Sequence, residues 1–429
     1  MSGPLRVGVL GCGNVGSAVI RLLDEHADDI ARRAGCRLEV ARVAVRDPVR
    51  ARDVPLDPSR FTGDPAAVVD DPDVDIVCEL LGGLEPAGSL IVAALERGTP
   101  VVTANKELLA NRGRELFDAA DAKDVDLYFE AAVGGGIPLI RPLKESLTGE
   151  RVERVTGIVN GTTNFILTKM SDEGRAFSDV LTAAQRLGYA EADPTADVEG
   201  HDAAAKCAIL ASIAFNARVT AADVYREGIS KVTPEDLEYA RRLGYVVKLL
   251  AIAELVDGDR IAARVHPAMI PATHPLASVR DAFNAVFVEG PKVGELMFYG
   301  RGAGGDPTAT AVVGDLVSVA RNLRSGARGV GCTCFHERTI RPMAEMEGQY
   351  YILLRVEDRP GVLAEISGVF GRNQVSIKSV WQEGTGADAQ LVFITHRARE
   401  GAFQQAVVEL RDLAAVEEVR SILRVEAEE

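Results

Sequence analysis

LRVGVLGCGNVG, residues 5–16, decides the fold of the chain's first part. An apolar run (residues 5–10) passes without a spacer into a glycine-rich turn, and a helix-period segment, 14–26, follows. In this G-x-G-x-x-G pattern Gly11 permits the tight turn, Gly13 lets backbone approach a pyrophosphate, and Gly16 lets helix pack on strand. A lone match is weak, but one set between a strand and a helix at the start of a βαβ rhythm is strong. Gly11, Gly13, Asn14, Val15 and Gly16 are therefore candidate cofactor-binding residues.

The same rhythm continues outward. Further strands are expected at 38–45, 75–80, 100–103 and 126–130, and crossover helices at 85–97 and 105–121. Strands apolar on both faces and separated by helices read as a parallel sheet covered on both sides. The fold class is α/β, with a doubly wound dinucleotide-binding (Rossmann) domain over residues 1–133. Gly134, Gly135 and Gly136, followed by Pro138, end the rhythm. Residues 134–330 read as a central α+β domain with helices at 177–187, 201–215 and 234–250. A turn at 300–305 precedes a helix at 308–321 that is expected to pack back on the first domain. Residues 331–348 read as a linker. Residues 349–429 run strand, helix, strand, strand, helix, strand, the ferredoxin-like order.

At roughly 150 residues per domain, 429 residues agree with three domains. No stretch approaches the roughly 18 uncharged apolar residues of a membrane span. The N-terminus has no basic head and apolar core of a secretory signal. A net charge of −15 without a basic block argues against nucleic acid. Six scattered cysteines are too few for a disulfide scaffold. A cytoplasmic protein is expected.

Cofactor choice turns on the end of the second strand, where an acid holds a ribose 2′-OH and an arginine accepts a 2′-phosphate. Arg46 comes before Asp47, with Arg50 and Arg52 nearby, so NADP is favoured and NAD remains open. Arg50 and Arg52 also read as plain solvated charge. Asn105 and Lys106 begin a helix at the carboxyl edge of the sheet, where ligands of such sheets bind. Lys106 would touch cofactor or substrate there, or merely start the helix.

YAEADPTADVEGHDAAAK, residues 189–206, gathers Glu191, Asp193, Asp197, Glu199 and Asp202 ahead of Lys206. Asp202 and Lys206 stand at i, i+4 on a helix, ordinarily a solvated ion pair. Lys206, however, shares its face with Ile209, Leu210 and Ile213 amid alanines. A lysine on an apolar face is costly unless paired and suits proton transfer, with Asp202 orienting it. The upstream carboxylates suit a substrate ammonium. The residues alone point to a dehydrogenase acting on a small zwitterionic carbonyl or alcohol.

Together with TANKE (103–107) and GTTN (161–164), these motifs resemble the homoserine dehydrogenase family up to about residue 330. The resemblance implies reversible NAD(P)-dependent interconversion of L-aspartate 4-semialdehyde and L-homoserine, on the route to threonine, isoleucine and methionine. It implies Lys206 as proton donor with Asp202 as its partner, and Lys106 as a second active-site lysine that also contacts cofactor. It assigns Glu191, Asp197 and Thr162 to substrate, and Thr103 and Asn105 to cofactor. Gly302 and Gly304 would close over the nicotinamide or serve as a simple turn. Glu130, Val133, Gly135 and Ile137 match a loop that holds a monovalent cation, Na⁺, through backbone carbonyls, with or without the Glu130 carboxylate; from spacing alone that loop is a hinge. The chain looks monofunctional, without a preceding kinase.

Residues 349–429 resemble an ACT domain, on the turn Asp358, Arg359, Pro360, Gly361, Val362 and Leu363. This implies a regulatory site at Asp358, Gly361, Val362 and Leu363 for L-threonine, or a module that only dimerises. The resemblance implies that residues 134–330 are the catalytic and dimerisation domain, giving a homodimer, or a homotetramer through the ACT domain. Cys332, Cys334 and His336 read as a linker with incidental thiols, since a structural zinc site needs four ligands. His266 and His274, each before a proline, read as turn markers. The alternatives are a dehydrogenase of another small amino aldehyde, and a non-catalytic sensor of NADP and an amino acid.

Overall fold

The computed structural model describes residues 3–427, the side chain of Ala387 excepted. The chain forms two compact units, one of residues 1–155, 205–223 and 284–338, the other of 156–204, 224–283 and 339–429.

In the first unit, β1 (Leu5–Leu10), β2 (Leu38–Ala44), β3 (Phe61–Thr62), β4 (Ile76–Glu79), β5 (Val101–Thr103) and β6 (Leu127–Tyr128) make one sheet in the order β3-β2-β1-β4-β5-β6. Every neighbouring pair is parallel. The strand order reverses between β1 and β4, and ligands of open α/β sheets bind at such a switch point. Helices α1 (Asn14–Glu25), α2 (Ala87–Glu96) and α3 (Lys106–Ala122) are the expected crossovers. The strand β3 was not foreseen; two half-buried residues carry no readable period. The helix Gly305–Ser325 puts Val312, Val313, Leu316 and Val319 into the same core as Val7, Val9, Val19 and Leu23.

In the second unit the expectation of one helix over 234–250 fails halfway. The helix Pro234–Arg242 stops before Gly244, whose φ is +82°, and Tyr245–Val256 is a strand. It pairs antiparallel with Arg260–Pro271 along its whole length. A run apolar at nearly every position has no period to distinguish helix from buried strand. His266 likewise lies inside that second strand and not at a turn. It is fully buried, and burial pushes its imidazole down to about 4. His274 does mark a turn, accepting from the Leu276 N–H at 3.1 Å.

The C-terminal βαββαβ segment is built as expected, from Glu347–Val356, Val362–Arg372, Ile377–Glu383, Gln390–Thr395, Glu400–Arg411 and Val416–Val425. Its last strand joins Arg260–Pro271 in parallel, Ala268 opposite Arg424, so this segment extends the unit's own sheet. Phe370, Phe393, Phe403 and Tyr350 fill the layer under the two helices. The fold is mixed α/β, as the sequence implied.

Candidate functional site

The dinucleotide turn has the shape that its glycines predict. Gly11 has φ +102°, and a Cβ there would lie 2.7 Å from the Leu80 carbonyl oxygen. A Cβ on Gly16 would lie 2.2 Å from the Gly11 carbonyl oxygen, whereas Gly13 faces open space. Gly13 caps α1 without a side-chain hydrogen bond, and Asn14 beside it is exposed. The helix therefore presents free N–H groups and the positive end of its dipole to open space, which fits a pyrophosphate. Arg46 is exposed just past β2. Asp47 accepts from the Val49 N–H at 3.1 Å, and Arg52 donates to the Asp47 and Arg50 carbonyls at 2.9 and 2.7 Å. Arg52 is thus tied into its own loop, leaving Arg46 and Arg50 toward solvent.

At the carboxyl edge of β4 and β5 a residue that no sequence signal announced ties the neighbouring loops together. Glu79 is fully buried, and its carboxylate accepts from the N–H groups of Leu81 and Gly82 at 2.8 and 3.0 Å and from the Thr103 hydroxyl at 2.6 Å. Thr103 accepts from the Asn105 N–H at 3.0 Å, and Asn105 donates to the Gly83 carbonyl at 2.7 Å. Asn105 also caps α3 through the Leu108 N–H at 3.0 Å. Two loops are thereby locked together, with half-buried Lys106 at the first turn of α3.

The two remaining glycine loops of this unit meet. A Cβ on Gly135 would lie 2.6 Å from the Gly302 carbonyl oxygen, and one on Gly305 would lie 3.0 Å from the Asn14 carbonyl oxygen. Gly304 has φ +130° and is exposed. The 302–305 turn therefore sits against the start of α1. Glu130 is buried and spends its carboxylate on the N–H groups of Leu139, Ile140 and Arg141, at 2.6, 2.9 and 2.8 Å. Among the described residues, no hydrogen bond reaches the carbonyls of Val133, Gly135 or Ile137, all three buried. No group of three or more His, Cys, Asp or Glu side chains could hold a metal among the described residues. Asp315 accepts the Glu130 N–H at 2.8 Å and an Arg141 N–H at 2.7 Å, and burial pushes its carboxyl up to about 7.

In the second unit one side chain gathers the acids. Asn160 caps the helix Gly161–Glu173 by accepting the Thr163 N–H at 2.8 Å. Its amide donates to Asp197 at 2.7 Å and to Asp202 at 2.9 Å. The sequence signal was an asparagine just before a helix, a cap signature, which says nothing of the two carboxylates it would hold. The Thr162 hydroxyl donates to the Tyr189 carbonyl at 2.7 Å, and the Tyr189 ring lies 4.7 Å from that of Phe165. Glu191 is exposed; its carbonyl accepts from Gln185 at 3.0 Å. Asp202 stands one turn before Lys206 on the helix His201–Ala214, whose residues from 205 onward belong to the first unit. That helix has no solvated back: residues 203–211 are all buried, and Lys206 is only 8% exposed. The expected apolar stripe is a helix apolar all round, as buried helices are.

At the C-terminal turn Gly361, with φ +96°, caps its helix, and Asp358 accepts the Gly386 N–H at 2.8 Å. Leu363 is exposed, whereas Val362 is buried in the core and offers a ligand only its backbone.

Comparison with known proteins covers the whole of this layout. The homoserine dehydrogenase NAD-binding domain model matches residues 11–130, the homoserine dehydrogenase model 138–317, and the ACT domain model 350–415. The homoserine dehydrogenase of Mycobacterium tuberculosis strain H37Rv is 51% identical over 99% of this chain and 98% of its own length. That of Corynebacterium glutamicum is 49% identical over 98% of this chain and 95% of its own. A crystal structure of a homoserine dehydrogenase from Thiobacillus denitrificans superposes with a TM-score of 0.94 at 44% identity, covering both chains completely. A hyperthermophilic archaeal homoserine dehydrogenase in complex with NADPH matches at 27% identity and a TM-score of 0.63, over 77% of this chain and 99% of its own. Because the likeness runs from the dinucleotide turn to the C-terminal module, the chain belongs to the homoserine dehydrogenase family, oxidoreductases that use a nicotinamide cofactor.

Proposed function

We propose that the enzyme interconverts L-aspartate 4-semialdehyde and L-homoserine, with Lys206 carrying the proton. The observation that carries this reading is the Asn160 amide holding Asp197 and Asp202, one turn before a lysine that is 8% exposed. The bound nicotinamide supplies a hydride to the aldehyde carbon or accepts one from the alcohol. The developing alkoxide needs one proton, and Lys206 Nζ delivers it, or takes it back in the oxidative direction. Asp202 positions Lys206. Glu191 and Asp197 hold the substrate ammonium, Thr162 lines the same pocket, and Lys106 serves substrate and cofactor.

Exposed Arg46 favours NADP, since a guanidinium pairs with a 2′-phosphate. Three buried residues with carbonyls free of hydrogen bonds suit Na⁺, a hard cation that takes oxygen ligands. Here the ligands are Val133, Gly135 and Ile137, with the Glu130 carboxylate bracing the loop. L-threonine is the effector at the turn carrying Asp358 and Gly361. The enzyme works in the cytoplasm as a homodimer or homotetramer; no helix among the described residues is long and apolar enough to cross a membrane.

The test is reduced-nicotinamide absorbance with L-homoserine and NADP or NAD, for wild type and Lys206→Met. Loss of a general acid/base costs roughly 10²–10⁴-fold in kcat. Turnover by wild type and collapse in the folded variant is expected. Turnover unchanged in the variant removes the proton from Lys206; turnover only with a different amino alcohol replaces the substrate.

A further inference from the structure

The first unit holds a cavity of about 280 Å³ that none of the proposed roles uses. Leu109 on α3 and Ile209 and Ile213 on the helix His201–Ala214 are among its apolar walls, and Arg218, Cys332 and Cys334 are part of its lining. Leu109 stands three residues beyond Lys106, and Ile209 three beyond Lys206, so the cavity adjoins the next turn of both lysine-bearing helices.

The two thiols there are unlike the other cysteines. An Arg218 guanidinium nitrogen lies 4.0 Å from Cys332 Sγ. Cys334, two residues on, lines the same cavity, and its thiol together with the Arg218 guanidinium pulls the Cys332 thiol well below its ordinary value. The neighbouring Cys332 thiol and burial push Cys334 up. The Lys144 ammonium lines the same cavity. A half-buried thiolate beside cations is the environment of a reactive cysteine. By contrast Cys78 and Cys207 are fully enclosed, and burial pushes the Cys78 thiol up. The segment carrying the pair is tied on both sides: Lys144 donates to the Val330 carbonyl at 2.9 Å, and the His336 N–H to the Asn216 carbonyl at 2.9 Å.

We propose that Cys332 and Cys334 form an oxidant-sensitive dithiol, with Cys332 the attacking thiolate and Cys334 the resolving thiol. The oxidant class is a peroxide. Cys332 sulfur attacks one peroxide oxygen and the O–O bond breaks, giving a sulfenic acid and hydroxide, which takes a proton. The Cys334 sulfur then displaces water from Cys332 to form the disulfide. Two thiols and one hydrogen peroxide become one disulfide and two waters, a two-electron oxidation. The backbone turns tightly at Cys334, the Phe335 N–H donating to the Thr333 carbonyl at 2.9 Å, and both cysteines line the one cavity; a disulfide needs their Cβ atoms about 3.5–4.5 Å apart.

The test uses the full chain treated with hydrogen peroxide and digested for mass spectrometry. The peptide with both cysteines should lose two hydrogens and regain them with dithiothreitol. Cys334→Ser should trap a dimedone adduct on Cys332, whereas Cys332→Ser should leave Cys334 unlabelled. In the untreated wild type, Cys332 should be alkylated by iodoacetamide with a pH midpoint well below the free-thiol value of about 8.5, and Arg218→Gln should raise it. A midpoint at that free-thiol value, dimedone on Cys334, or no mass loss in the pair would overturn the proposal. The wild-type profile decides even if a variant fails to fold.

Discussion

Asn160 is where the geometry makes its sharpest demand, because one amide performs two separable tasks. Its oxygen caps the helix Gly161–Glu173 through the Thr163 N–H, and its NH₂ group ties Asp197 to Asp202. Asn160→Ala removes both. Losing the cap costs about 1 kcal/mol. Each bond to a carboxylate is worth about 1.5–3 kcal/mol when buried. Both carboxylates are half-exposed, so the total should fall near 2–4 kcal/mol. Asn160→Asp keeps the cap oxygen but replaces the donor with a third carboxylate. Like charges at hydrogen-bond distance raise carboxyl pKa values in the folded state. That raises the folded pKa above the unfolded value, so the stability present at low pH is lost as pH climbs through the folded value. Asn160→Asp should therefore unfold almost like wild type near pH 4 and increasingly easily toward pH 7, while the Asn160→Ala deficit stays nearly constant. For both, kcat/KM with L-homoserine should fall about 10²-fold, the cost of misplacing a positioning group by about an ångström. Urea midpoints across pH, with initial rates at one pH, measure this. If Asn160→Asp matches wild type at pH 7 in both midpoint and kcat/KM, the amide does not organise the acids and the reasoning fails.

Two further outcomes follow from single contacts. Gly16→Ala puts a methyl where the Gly11 carbonyl oxygen would be 2.2 Å away. The turn must shift, and an NADPH fluorescence titration should show affinity weakened ten- to hundredfold, matching about 1–3 kcal/mol of overpacking; an unchanged Kd in a folded variant would refute it. Lys248 is 3% exposed and donates to Asn164 at 3.0 Å, and burial lowers its ammonium to about 8. Below that pH both folded and unfolded states are charged and the full burial cost stands. Between about 8 and the free value of 10.5 the folded state sheds its proton first, so stability rises with pH by about 3 kcal/mol. Urea midpoints at pH 7 and pH 10 should diverge in wild type and converge in Lys248→Met. Equal slopes in the two proteins would show that Lys248 is solvated.

The readable parts of the sequence were those where local chemistry is sufficient. The tight turn and close helix approach at Gly11 and Gly16 admit only glycine, and the strands around them are apolar on both faces. The βαββαβ order of the C-terminal module was legible from turn signals and periods alone. The helix assignment over 234–250 failed because Val246, Val247, Leu249 and Leu250 suit a buried helix and a buried strand equally. Only the antiparallel partner 260–271 selects the strand. Glu79 and Asn160 escaped notice for a related reason. Each is a single polar residue whose partners lie between 2 and 42 positions away, so no local pattern announces them.

What the sequence by itself determined is the chemistry on offer: a glycine turn for a dinucleotide, a run of acids, a lysine among alanines, and a βαββαβ module of the ACT type. These are set by residue types a few positions apart. Tertiary structure alone decided which groups meet. It turned Glu130 toward three backbone N–H groups, left the carbonyls of Val133, Gly135 and Ile137 without donors among the described residues, and brought Asp197 and Asp202 to one amide. It also put Arg218 beside Cys332, 114 residues away. The physical reason is that a buried polar group must find a partner wherever the packed chain supplies one, and packing is a property of distances in space rather than in sequence.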